Sequence, residues 1–250
     1  MMIEIKNLYA GYDKNKSAGS EVLHDVSCSV PEGKITVLAG PNGSGKTTLI
    51  KVLGGQLEKW SGEVLINGRD ISQITPKERA KLVSVVSQTR FIPDLTCAEL
   101  VLCGRFPYTG FPSSYSQKDR KIAINAMQLL QVESLADKAL AELSGGQRQK
   151  IYLAMCLAQD TPVMILDEPL TYLDVRQQVE FLKILAEFAA NGKTVILVMH
   201  DLNLIFRFSD RIILLKGGKC AASGSCREIA SSGIADDVFE INTSDIYNLI

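Results

Sequence analysis

Residues Gly40-Pro-Asn-Gly-Ser-Gly-Lys46-Thr47 constrain this chain more than any other stretch. They fit G-x-x-x-x-G-K-[ST], a loop that works only between a buried strand and a helix. Both flanks comply: Ile35-Thr-Val-Leu-Ala39 is an apolar strand-like run, and Thr47 to Leu57 reads as a helix. The glycines let the backbone wrap an anion closely. Amide donors at the helix N-terminus then face that anion. The pattern makes Gly40, Pro41, Asn42, Gly43, Ser44, Gly45, Lys46, Thr47 and Thr48 candidate phosphate-binding residues. Lys46 can reach the outer phosphates, and Thr47 can ligate Mg²⁺.

Bulk properties exclude several classes. The chain has 250 residues, 46% hydrophobic and 22% charged, an ordinary globular balance. A net charge of −1 offers no nucleic-acid surface. No run approaches the roughly 18–20 apolar residues of a membrane span. The opening Met-Met-Ile-Glu-Ile-Lys lacks a charged-then-apolar leader. The expectation is a cytosolic chain unless a partner tethers it to a membrane. Six cysteines without a C-x-x-C pair, and only two histidines, lack metal-ligand spacing and read as reduced, packed thiols.

Along the chain, Ile3 to Leu8 and Val22 to Val30 read as strands around a polar loop, Asp13 to Ser20. Gly62 to Ile66 is a short strand closed by Asn67-Gly68, a hairpin-turn signal. Leu82 to Ser87 is another β-type run. From Leu95 to Gln159 helical patterns dominate, at Cys97–Cys103, Gln117–Gln131 and Gly146–Gln159. Strands and helices then alternate: Val163–Leu166, Val175–Ala190, Thr194–Met199, Leu202–Phe208 and Arg211–Leu215, with a short strand at Lys219–Ala222 and helical fragments after it. Such alternation predicts an α/β core with a largely parallel sheet, interrupted by a helical subdomain.

Two further constellations carry chemistry. Val163-Met-Ile-Leu-Asp167-Glu168-Pro169 delivers an acidic pair at the C-terminal end of a buried strand, where α/β sheets bind ligands. Asp167 can hold Mg²⁺ beside Thr47, and Glu168 can poise a water for attack on a γ-phosphate. Leu143-Ser-Gly-Gly-Gln147 precedes a helix and makes a second anion-binding N-terminus. One nucleotide does not need two such loops from one chain.

Leu-Ser-Gly-Gly-Gln resembles the signature of ATP-binding-cassette (ABC) ATPases, in which the signature of one protomer caps the nucleotide held by the other. The resemblance spans roughly residues 3 to 240 and its other marks fall in order. Tyr12 matches the aromatic that stacks on adenine, and Gln88 the glutamine that links the metal site to the partner contact. Leu170-Thr-Tyr-Leu-Asp174 matches the loop that reads across the dimer, and His200 the histidine that holds the γ-phosphate. Two positions depart from the family pattern: Leu170 where Thr is frequent, and Tyr172 where a small residue or Phe is usual.

The resemblance implies a P-loop NTPase core with an N-terminal antiparallel β subdomain and an inserted α-helical subdomain. The core and β subdomain would occupy 1–94 and 160–250, and the helical subdomain 95–159. It implies ATP and Mg²⁺ as cofactors, with two sites formed by a head-to-tail homodimer. Glu168, His200, Lys46 and Gln88 would be catalytic, and Thr47, Gln88 and Asp167 would hold the metal. Ser144, Gly145, Gly146, Gln147 and Asp174 would reach the partner's nucleotide, as Tyr12 and the phosphate loop reach their own.

Glu99-Leu-Val-Leu-Cys-Gly104-Arg105-Phe-Pro107-Tyr108 resembles the segment of importers for ferric siderophores, haem and vitamin B12 that meets the permease. His200-Asp-Leu-Asn203 and Gln177-Gln178 are similar to that subgroup too. This implies a peripheral subunit at the cytoplasmic face of the cell membrane. Its permease would dock near Thr89–Tyr108, and an extracytoplasmic binding protein would be an indirect partner. A cytosolic non-transport cassette, such as an iron–sulfur assembly component, would also fit the length.

Overall fold

The computed structural model describes residues 2–13, 21–87, 92–110 and 114–240. Strands β1 (Ile3–Gly11), β2 (Glu21–Val30), β4 (Ser61–Ile66) and β5 (Arg69–Asp70) form an antiparallel sheet in the order β2-β1-β4-β5. The β4–β5 hairpin turns on Asn67 and Gly68, at φ 51° and 77°, the two positive angles a tight primed turn demands.

The second sheet runs β10-β9-β3-β8-β7-β6. Its members are β3 (Ile35–Ala39), β6 (Val83–Val86), β7 (Val163–Asp167), β8 (Thr194–Val198), β9 (Arg211–Lys216) and β10 (Lys219–Ser225). The first five are parallel, and β10 closes one edge antiparallel to β9. Both faces are covered, so successive side chains enter two different cores. Leu38, Ile165, Ile196 and Ile213 face a core shared with the antiparallel sheet and α1 (Lys46–Gly54). Val37, Leu166, Leu197 and Leu214 face a core made with the helices. Period-two alternation explains why these strands read as unbroken apolar runs.

Helices α3 (Cys97–Cys103), α4 (Gln117–Leu129) and α5 (Gly145–Gln159) lie between β6 and β7 in sequence and pack on one another. Helix α6 (Val175–Ala190) follows β7, and α7 (Leu202–Phe208) follows β8. Three differences from the sequence expectation have local causes. Helix α1 stops at Gly54, because Gly55 turns left-handed at φ 76° and ends it before Leu57. Helix α2 (Pro76–Leu82) occupies a stretch with no apolar period and buries none of its residues, yet a Thr75–Glu78 capping box starts it. Helix α4 stops short of Gln131, which itself turns left-handed at φ 56°. The polar loop read at Asp13 to Ser20 lies, after Asp13, outside the described residues.

Candidate nucleotide site

The ends of three parallel strands meet at one edge of the sheet. Val198 pairs with Leu38 on one side and with Asp167 on the other. The phosphate loop after β3, the acidic pair ending β7 and His200 after β8 therefore emerge side by side, where α/β sheets bind ligands.

The loop is shaped for an anion. Helix α1 starts after Gly45, which has no side chain to cap it, so first-turn N–H groups stay available. Gly40, at φ 145°, has no room for a Cβ against the Leu215 carbonyl, whereas Gly43, at φ 77°, faces open space. Ser44 Oγ is buried without a hydrogen-bond partner, an orphaned group that phosphate oxygens would satisfy. Lys46 Nζ donates to Gly40 O at 2.8 Å and to Pro41 O at 2.9 Å, folding the lysine over its own loop. Burial pulls the Lys46 pKa below the ordinary lysine value, opposed by the charges of Glu168 and Asp167.

Thr47 Oγ1 donates to Asp167 Oδ2 at 3.4 Å. Burial and the neighbouring Glu168 charge push the Asp167 pKa above the carboxylate norm, the environment a cation would relieve. A hydroxyl and a carboxylate on one side of an open site suit Mg²⁺, which takes few protein oxygens and completes its shell with water and phosphate. Among the described residues, no group of three or more His, Cys, Asp or Glu is arranged to hold a metal ion by itself. Glu168 Oε1 lies 2.7 Å from His200 Nε2. Tyr12 is exposed just beyond β1, with its hydroxyl 3.1 Å from Lys51 Nζ on α1. Gln88 lies outside the described residues.

The second loop is elsewhere. Ser144, Gly145, Gly146 and Gln147 line an open cavity with Tyr172 and Asp174, and no residue from Gly40 to Thr48 lines it. Ser144 caps α5: its Oγ accepts from Gln147 N at 3.3 Å, and Gln147 Oε1 accepts from Ser144 N at 3.1 Å. Asp174 caps α6, accepting from Gln177 N at 2.8 Å. A Cβ on Gly146 would stand 2.8 Å from Tyr172 O, so the two loops touch through a position that only glycine fits. Of the two departures from the family pattern, Leu170 packs against the core, while Tyr172 is 76% exposed at φ 69°.

Comparison with known proteins decides the family. The ABC transporter family matches residues 23–171, more than half of the chain. The iron(3+)-hydroxamate import ATP-binding protein FhuC of Bacillus subtilis is 39% identical over 223 residues, covering 88% of this chain and 83% of that protein. The petrobactin import ATP-binding protein YclP of the same organism is 36% identical over 242 residues, covering 96% of this chain and 93% of that one. This chain belongs to the ABC transporter family. Among solved structures, the dimeric bacterial ABC transporter cassette MJ0796 superposes with a TM-score of 0.80 at 30% identity, covering 90% of this chain and 99% of that one. The same cassette is also solved as a dimer in a post-hydrolysis state with ADP and Pi. The mixed α/β architecture, with its antiparallel sheet and mostly parallel sheet, is thus that of an ABC cassette.

Within this ABC chain, two buried polar residues make tertiary bonds that the sequence does not announce. The resemblance places Arg105 in the segment that meets the permease. It is instead buried, with Nε donating to Asp119 Oδ1 at 3.0 Å and Nη1 to Ala158 O at 2.8 Å, beneath the Tyr108 ring at 3.9 Å. Gln149 is buried on α5 and donates from Nε2 to Pro169 O at 2.6 Å. The signal for it was its place one turn beyond Gly145, on the same helix face.

Proposed function

We propose that this chain is the ATP-binding and ATP-hydrolysing subunit of an importer that takes up a metal chelate through a separate permease. Ferric siderophore, haem and vitamin B12 are the candidate cargoes. The observation that carries the reading is the split of the anion loops. Gly40–Thr48 faces Asp167, Glu168 and His200, while Ser144–Gln147 opens onto a different cavity. A second copy, arranged head to tail, would bring its signature loop to the first copy's phosphate loop, an isologous contact with nucleotide inside it.

In that closed dimer Lys46 leaves the Gly40 and Pro41 carbonyls for the outer phosphates. Thr47 and Asp167, together with Gln88, would hold Mg²⁺, which supplies charge neutralisation on the phosphates. Tyr12 stacks on the adenine. Glu168 accepts a proton from the attacking water, and His200, in hydrogen-bond reach of Glu168, holds the γ-phosphate side of the site. Ser144, Gly145, Gly146, Gln147 and Asp174 act from the other subunit. Catalysis is positioning plus charge stabilisation. ATP favours the closed dimer because it binds that state better than the open one.

No helix among the described residues is long and apolar enough to cross a membrane. A groove of about 490 Å³ between α2 and the Phe106–Tyr108 turn is lined by Pro76, Lys77, Ala80, Phe106, Pro107, Thr109 and Gly110. We assign it to the permease, with the subunit peripheral at the cytoplasmic face of the membrane and an extracytoplasmic binding protein upstream. The iron–sulfur assembly alternative is set aside, since FhuC and YclP are named for import. The test is a pull-down of tagged chain from detergent-solubilised native membranes. A many-spanning permease that co-purifies supports the importer. Recovery of soluble proteins alone overturns it.

A further inference from the structure

Glu168 sits in an unfavourable backbone conformation. Its φ is 50°, and Tyr172, four residues on, is at φ 69°. Left-handed geometry in residues other than glycine persists only where the surroundings over-determine it. Three side chains do so here. Thr171 Oγ1 donates to Glu168 O at 3.1 Å. Gln178 Nε2, on α6, donates to Leu173 O at 3.1 Å and to Leu170 O at 3.4 Å. Gln149 Nε2 donates to Pro169 O at 2.6 Å, the shortest of the set and a buried one.

Of these anchors, Gln149 alone stands on α5, the helix that Ser144 opens. Pro169 follows Glu168, so Gln149 fixes the Pro169–Leu170 peptide, one residue beyond the Glu168 Cα, and restrains the backbone from which the Glu168 carboxylate leaves. The same helix touches the loop again where Gly145 and Gly146 meet Tyr172. Helix α5 and the acidic loop are therefore fastened at two points, about one helical turn apart.

We propose that Gln149 is a positioning residue for ATP hydrolysis, holding Glu168 in line through the Pro169 carbonyl and making that alignment depend on where α5 sits. Because Ser144–Gly146 at the head of α5 serve the partner's nucleotide, engagement there reaches Glu168 of the subunit's own site through this amide. Misplacing the base that takes the attacking water's proton by 1 Å can cost about 10²-fold in rate, so a small shift of α5 suffices. The inference rests on Glu168 being the catalytic base.

The experiment compares Gln149→Met, which keeps length but has no donor, with Gln149→Asn, which keeps the amide but falls one methylene short. Both are made in the full chain. Steady-state ATPase gives kcat and KM, and a fluorescent ATP analogue gives affinity. Both variants are expected to lose kcat by about tenfold or more, part of the cost of a misplaced group, with ATP affinity unchanged. In a Glu168→Gln background, Gln149→Met is expected to leave the ATP-bound dimer intact. Wild-type kcat in either variant overturns the proposal. So does a parallel loss of kcat and affinity, which marks a general packing role. If Glu168→Gln itself turns over at the wild-type rate, the assignment of the base fails instead, and the two failures are told apart.

Discussion

His200 Nε2 stands 2.7 Å from Glu168 Oε1, across the adjacent tips of β8 and β7. A carboxylate and an imidazole in hydrogen-bond contact beside a phosphate loop have the geometry that the proposed base and its orienting neighbour need. Both side chains leave neighbouring strand ends, so the fold itself brings the pair together. The Glu168 backbone is itself left-handed, at φ 50°.

Glu168→Gln keeps the shape and the hydrogen-bonding reach but cannot accept the proton of the attacking water. Phosphate release is expected to fall by at least about 10²-fold, the usual weight of a general base. ATP binding survives, and the closed dimer accumulates. Phosphate release and size-exclusion chromatography with ATP check the two halves, and turnover at the wild-type rate would remove Glu168 from this role.

Lys46→Ala removes the cation whose Nζ lies against Gly40 O and Pro41 O. A charge-assisted hydrogen bond contributes about 1.5–3 kcal/mol, so ATP affinity is expected to drop roughly 10- to 100-fold. Titration with a fluorescent ATP analogue measures it. Unchanged affinity would contradict the assignment of the loop.

Gly146→Ala tests the signature loop separately from the phosphate loop. The added Cβ would stand 2.8 Å from Tyr172 O, tighter than carbon and oxygen tolerate, so one loop must shift. ATP affinity of the monomer should hold, because Gly146 is remote from Gly40–Thr48. ATP-driven dimerisation and turnover should both be lost. Light scattering with and without ATP, in the Glu168→Gln background, separates these outcomes.

The phosphate loop, the acidic strand end and the alternation of core strands with helices were legible because each strand or loop is a short, strongly patterned segment. β3 and β7 bury both faces, and apolar runs such as Ile35–Ala39 announce that. Helix α2 was not legible, because a helix that buries nothing shows no period, and only its Thr75–Glu78 cap marks it. Arg105 misled for another reason. A charged residue between Gly104 and Pro107 reads as surface, and its burial depends on α4 and the last carbonyls of α5 converging from distant sequence. Gly104 is glycine because a Cβ there would strike the Met155 carbonyl of α5, a constraint visible only in three dimensions.

That buried pair predicts a stability effect with a pH signature. Arg105→Met removes the charge partner of the Asp119 carboxylate, leaving it only Ser116, and is expected to cost about 3 kcal/mol, the low end for broken buried pairs. The Ser116 hydroxyl, and then Arg105, hold the Asp119 pKa below its ordinary value of 3.8. A depressed carboxyl stabilises the fold above its unfolded pKa and loses that contribution as pH falls through the folded one. Asp119→Asn should therefore be less stable than wild type at pH 7, with the gap closing below about pH 4. Denaturation midpoints across that range check the sign, and a gap that widens on acidification refutes it.

Phe106, the neighbour of Arg105, faces the other way and should behave oppositely. It is 62% exposed on the rim of the groove with α2, where Lys77 Nζ reaches Thr109 O at 3.2 Å and braces the two walls. An exposed aromatic over an apolar groove is the kind of anchor that carries binding energy in protein interfaces. Phe106→Asp leaves the core untouched, so its thermal midpoint and ATP affinity should match wild type. Losing an anchor typically costs about 2 kcal/mol or more, which weakens association with the permease roughly 30-fold. Co-purification from solubilised membranes should then fail while soluble-phase ATP binding persists. If Phe106→Asp recovers the permease as well as wild type does, the docking site lies elsewhere on the chain.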